Sequence, residues 1–185
     1  MPRKNEIDML HGPLLAKIII FAMPLAASSI LQQLFNSVDV AVVGRFDSSY
    51  ALAAVGSNGP VISLLINLFL GISMGANVVI SNHIGQKDNN LTKYAIRTTA
   101  ATALFSGLAL AVIGVLAARP ILTIMGTPTE VLDMAVRYLR IYFIGTPFLL
   151  IYNFGSAILR SKGDTSRPLY ILVIAGIINT VLNLI

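Results

Sequence analysis

Cutting this sequence at its charged residues leaves uncharged windows at 18–38, 48–86, 98–118, 141–159 and 168–185. Each is near or above the ~20 apolar residues that a helix needs to cross a bilayer. The chain is 56% hydrophobic and 11% charged, far from the roughly 25% charged fraction of soluble domains. The windows therefore predict an all-α integral membrane protein of five transmembrane helices over about 14–43, 51–83, 94–118, 130–159 and 168–185. No internal repeat is visible, so a single helical unit is the economical reading. The second window is 39 residues long, and at ~1.5 Å per residue it overruns a ~30 Å core. Ser57-Asn58-Gly59-Pro60 is the expected break or bend.

The net charge of +5 is placed asymmetrically. Arg3, Lys4 and Lys17 precede helix one, Lys87, Lys93 and Arg97 lie between helices two and three, and Arg160, Lys162 and Arg167 lie between four and five. Alternating helices put all of these on one side, leaving Arg45, Arg119, Arg137 and Arg140 opposite, which by the positive-inside rule makes the N-terminus cytoplasmic. A nucleic-acid partner then has nothing left to explain. Tyr50, Tyr94, Tyr138, Tyr142 and Tyr170 fall near expected helix ends and read as headgroup anchors, while Arg137 and Arg140 read as snorkelling side chains. Cysteine is absent, which excludes disulfides and thiolate chemistry. The apolar run Ile18 to Ala27 continues past any Ala-Ala-Ser cleavage site, so helix one is retained rather than removed as a signal.

Pro24 lies inside helix one, where its missing N–H frees the carbonyl of Ile20 and a bend is expected. Helix three is rich in small residues, which allows close approach to its neighbours, and Arg119-Pro120 is the expected end. Thr129 is the expected N-cap of helix four. Helix five starts near Pro168 and is still apolar at Ile185 without a flanking charge or cap, an ending that looks like a cut.

Asp39 is the only charged residue between Lys17 and Arg45. A carboxylate at bilayer depth costs roughly 2.5–3.5 kcal/mol, so it is expected to face a cavity and to handle an ion or a proton. At ~100° per residue, Ser28, Gln32, Asn36 and Asp39 fall within an arc of roughly 80°, a polar stripe that should not face lipid. Asn179 and Asn183, spaced i and i+4 on helix five, are the nearest partners, and amide and carboxylate oxygens suit Na⁺-like ions. Beyond a possible Na⁺ there, no metal site is expected, and no cofactor other than Na⁺ or H⁺ as coupling ion. Asn67 on helix two and Asn153 on helix four are further inward candidates, for the substrate cavity with Gln32. The sequence reads as a transport protein and not as an enzyme.

Two motif matches carry little weight. Gly71-Ile72-Ser73-Met74-Gly75 fits a nucleophile elbow, but that motif needs a strand-to-helix turn and here lies inside an apolar helix. His11 and His83 have no second ligand at metal spacing.

Pro24, the run Gln32-Gln33-Leu34-Phe35-Asn36-Ser37-Val38-Asp39 with Gly44, Ala51…Ala54-Val55-Gly56, Gly85, the turn Arg160-Ser161-Lys162-Gly163-Asp164-Thr165-Ser166-Arg167-Pro168, and Asn179 with Asn183 carry a family resemblance. The chain resembles the N-terminal half of a multidrug and toxic compound extrusion (MATE) transporter. The resemblance implies twelve helices in two six-helix lobes, exporting cationic or amphipathic drugs and toxic compounds in exchange for Na⁺ or H⁺ by alternating access. It implies that Asp39, Asn179 and Asn183, with Asn36 beside them, form the ion-coupling site and that Pro24 is the hinge of helix one. Asn183 stands where some members carry aspartate. The implied partners are the lipid bilayer, a small-molecule substrate and a C-terminal lobe that this chain lacks, so the chain is expected to be inactive alone. The implied location is the cell membrane as a multi-pass protein, the inner membrane in a bacterium. Two other readings stay open: a flippase of lipid-linked saccharides, and a non-transporting membrane fragment.

Overall fold

The computed structural model describes residues 13–46 and 49–183, which form five helices. These are α1 (Leu14–Phe46), α2 (Ser49–Gly85), α3 (Asn89–Ile124), α4 (Thr129–Ser161) and α5 (Ser166–Asn183), with no strand among the described residues. The first four are long and apolar enough to span a membrane, and α5 is a shorter apolar helix. The all-α membrane fold expected from the uncharged windows is the fold observed.

Three helix ends share one device. In each, the residue past the cap turns left-handed: Lys87 at φ 58°, Gly126 at φ 74° and Gly163 at φ 82°. Its N–H and that of the next residue fold back onto carbonyls of the last turn, as in Gly163 N to Arg160 O at 2.9 Å and Asp164 N to Leu159 O at 3.0 Å. Such paired bonds satisfy carbonyls that the helix leaves orphaned. Glycine takes this conformation without strain at 126 and 163, whereas Lys87 does so at a cost.

Several boundaries differ from the sequence expectations. α3 does not stop at Arg119-Pro120 but continues to Ile124, and α2 passes unbroken through Ser57–Pro60. A proline deletes only one ladder bond, and continuing past it lets α3 bury Leu122 against α4 and α2 bury Asn58. The expected break in α2 is instead a contact. Asn58 is fully buried, and its Nδ2 donates to Ala54 O at 2.7 Å and across to Ala135 O of α4 at 3.1 Å. Thr129 is the first helical residue of α4 rather than its cap, the cap position being Pro128 without a side-chain bond. α5 begins at Ser166, ahead of Pro168, because a proline in the first turn deletes an N–H that has no partner anyway.

α4 packs along both α2 and α3, while α1 pairs with α5, and the two groups meet through α1–α2 and a small α4–α5 contact. The small residues of α3 make the α3–α4 contact tight. Ala103, Gly107, Gly114 and Ala118 are buried, and a Cβ on Gly107 would lie 2.7 Å from Pro147 Cα of α4. Pro147 leaves the Phe143 carbonyl without its ladder donor, and the buried Thr146 hydroxyl supplies one at 2.7 Å. Asn77 Nδ2 adds a second tie from α2 to α4, donating to Ala157 O at 2.8 Å. At the α4–α5 turn the buried Asp164 carboxylate accepts from Arg167 N at 3.1 Å, capping α5, and its other oxygen lies 3.0 Å from Arg167 Nε as an ion pair outside hydrogen-bond geometry.

Candidate functional site

The α1–α5 pair and the α2–α4 pair flank an open cavity of about 630 Å³. Each wall is one face of a helix at three- and four-residue spacing. α1 presents Ser29, Gln32, Gln33, Asn36 and Asp39, and α2 presents Ser63, Ile66, Asn67 and Leu70. α4 presents Tyr142, Leu149, Tyr152 and Asn153, and α5 presents Leu172, Ala175, Gly176 and Asn179. Hydroxyls, amides and one carboxylate thus converge on a space whose outer shell is hydrocarbon, which is the composition of a small-molecule site rather than of a core.

Asp39, Asn36, Gln32, Asn67, Asn153 and Asn179, chosen from sequence on three different grounds, all line this one space. Ser28 and Pro24 do not belong to its described lining. Ser28 instead donates its hydroxyl to Pro24 O at 2.8 Å within α1, a helix that continues unbroken through that proline. Asn183 ends α5, and its side chain lies outside the described residues. Ser73 of the nucleophile-like motif is buried and donates to Leu70 O of its own helix at 2.9 Å, turned away from any acyl chemistry.

Tyr142 is a correction. It is no headgroup anchor, since α4 begins at Thr129 and three helical turns separate that end from Tyr142, which lines the cavity. Tyr152 also lines it and reaches across to α5, its hydroxyl donating to Pro168 O at 3.3 Å. Tyr138, one turn before Tyr142, stands within electrostatic range of Asp39. The signal for these residues was the spacing of Tyr142, Leu149 and Asn153, which share a helix face. Likewise Ser63 sits four residues before Asn67.

Asp39 is the one carboxylate among the described lining residues, and none of those residues is lysine, arginine or histidine. When Asp39 is ionised, the lining carries net negative charge. A carboxylate with amide oxygens around it is a hard-ligand set that fits a monovalent cation or a proton. Among the described residues no three His, Cys, Asp or Glu side chains gather as a multivalent metal site would need.

A MatE family model matches residues 24–185 of this chain. A probable multidrug resistance protein of Bacillus subtilis, YoeA, is 36% identical over 163 residues, covering 88% of this chain and 35% of YoeA. The chain thus spans little more than a third of that relative's length. Among solved structures, a P26A mutant of a MATE protein superposes with a TM-score of 0.89 at 25% identity, over 99% of this chain and 41% of the other. The outward-facing conformation of a multidrug resistance MATE transporter superposes at 0.87 and 25% identity, over 98% of this chain and 40% of its own. With a matched model over most of its length and the same helical arrangement, the chain belongs to the MatE family, that of the multidrug and toxic compound extrusion transporters.

Proposed function

We propose that these helices form the ion- and substrate-binding part of a secondary active transporter that exports cationic or amphipathic compounds in exchange for Na⁺ or H⁺. The observation that carries this reading is the cavity's single carboxylate: Asp39 set among amide and phenol groups, with no basic side chain in the described lining. Such a space attracts a cation, and apolar wall residues such as Ile66 and Leu149 favour one with hydrocarbon around its charge. Na⁺ or a proton competes for the same carboxylate, and that competition is what couples ion entry to substrate release. Asn179 lines the cavity with Asp39, and Asn36 lies one turn before it on α1, so both supply amide oxygens to the coupling ion. Asn183 joins them on the strength of its position one turn after Asn179. Pro24 serves as the bend of α1 in this reading.

Alternating access rocks one lobe against another around a shared site, so export requires a second lobe as partner, and these helices alone would bind without transporting. The cytoplasmic membrane of a bacterium is the location proposed, in keeping with the Bacillus relative. The test is efflux of a cationic dye from proteoliposomes by a transporter of the relatives' full length that carries these five helices. Asp39→Asn is expected to abolish efflux driven by a Na⁺ or proton gradient while the protein still inserts. Unchanged gradient-driven efflux would refute the assignment.

A further inference from the structure

Tyr152 belongs to two structures at once. Its side chain lines the cavity, and its hydroxyl donates across to Pro168 O of α5 at 3.3 Å. The bond matters because α4 and α5 touch little elsewhere, α4 packing along α2 and α3 while α5 packs along α1.

The phenol has a second partner on its own helix. Ser156, one turn further along α4, is buried, and its hydroxyl stands within hydrogen-bonding range of the same phenol. A serine hydroxyl accepts as well as donates. Loss of the bond to Pro168 therefore leaves the Tyr152 O–H facing Ser156 Oγ rather than stranded. Pro168 O, lying inside α5, keeps the ladder donor four residues on. Both ends can give up this bond at small cost, which makes it a releasable tie.

What α5 carries gives release a consequence. Leu172, Ala175, Gly176 and Asn179 form its wall of the cavity, and Gly176 faces the Phe35 ring of α1. Asn179 lies about three turns, or about 16 Å, beyond Pro168 on one continuous helix. Movement of α5 away from α4 at Tyr152 thus reaches Asn179 directly and Asp39 through Phe35.

We propose that Tyr152 senses a compound in the cavity: contact with its ring turns the phenol from Pro168 O to Ser156, and α5, with α1, then shifts the Asp39–Asn179 ion site. The proposal rests on the cavity reading above and deepens it. Tyr138, within electrostatic range of Asp39, is about four turns, or about 21 Å, from Tyr152 along α4. The far end of a compound seated on Tyr152 is out of reach of the Asp39 carboxylate, yet through α5 it still acts there. The ligand this requires is an elongated cation, with its charge at Asp39 and an aromatic group reaching the Tyr152 ring.

The chain has no cysteine, so two introduced thiols carry spin labels without background. Ile151→Cys on α4 and Ile171→Cys on α5, both exposed, report the α4–α5 separation by double electron–electron resonance on the full chain in phosphatidylcholine nanodiscs. Two probes are compared: methyltriphenylphosphonium, and a triphenylphosphonium bearing a phenyl group at the end of a dodecyl chain. The long probe is expected to raise the share of a longer separation about fivefold, the worth of one net hydrogen bond, and the short probe to leave it within about twofold. Tyr152→Phe keeps the ring but loses the tie, and is expected to show the longer separation about fivefold more than wild type without any probe. Equal shifts by both probes would assign the movement to Asp39 alone and overturn the role of Tyr152. Binding of both probes with an unmoved separation, or a wild-type separation in Tyr152→Phe, would overturn the tie and leave the cavity reading standing. Failure of both probes to bind wild type would overturn the cavity reading and the tie with it.

Discussion

Gly176→Ala tests the geometry of the cavity through a single methyl group. Gly176 of α5 faces the Phe35 ring of α1, and a Cβ there would fall well inside 3.0 Å of three ring atoms, a separation that Cβ atoms essentially never show. Ordinary contact begins near 3.4 Å, so either the ring swings into the cavity or α1 and α5 part. Helices that alternate in direction make α1 and α5 parallel, so Asp39, one turn beyond Phe35, and Asn179, one turn beyond Gly176, occupy the same level. Either response therefore disturbs the proposed cation site. Overpacking of this kind costs about 1–3 kcal/mol, and the gain in helix propensity from glycine to alanine returns about 1 kcal/mol. The net cost is up to about 2 kcal/mol, and the part of it that falls on the bound state weakens cation affinity by up to about thirtyfold. The assay is equilibrium binding of tetraphenylphosphonium to the purified chain in nanodiscs. Gly71→Ala is the control, because nothing lies within 4 Å of a Cβ built there. Wild-type affinity in Gly176→Ala, or an equal loss in Gly71→Ala, would refute the reasoning.

Other outcomes follow from the packing. Thr146→Val keeps the side-chain shape but removes the hydroxyl that serves the Phe143 carbonyl, and is expected to lower stability by about 0.5–1.5 kcal/mol in unfolding by sodium dodecyl sulfate. By the same measurement Asp164→Ala is expected to cost about 1–2 kcal/mol through the lost cap at Arg167 N, with Asp164→Asn milder because an amide oxygen can still accept. Equal losses in the two variants would assign the effect to the ion pair with Arg167 instead. Lys87→Cys is expected to react with an impermeant maleimide only after cells are permeabilised, and labelling of intact cells would reverse the topology.

The fold was legible because hydrocarbon leaves a helix few alternatives, so uncharged windows mark spans directly. Their ends were less legible. Pro120 and the Ser57–Pro60 run look like breaks by the rules of soluble proteins, yet in this bundle α3 and α2 continue through them, and Asn58 turns an apparent break into a tie to α4. The cavity was legible where polarity was out of place, at Asp39, Asn36, Gln32, Asn67, Asn153 and Asn179. Tyr142 and Tyr152 were not, because a phenol suits a headgroup region and a cavity wall equally well, and only the packing of α4 across from α1 and α5 separates the two.

The central claim is that the carboxylate of Asp39 is where a coupling ion and a cationic compound compete. The most direct measurement is tetraphenylphosphonium binding to the chain in nanodiscs, titrated with Na⁺ at fixed pH and with protons in the absence of Na⁺. Wild-type chain should bind the probe and release it as one of these ions is raised, and Asp39→Asn should bind weakly with no response to either ion. Binding in Asp39→Asn that matches wild type and keeps the same ion dependence would contradict the account.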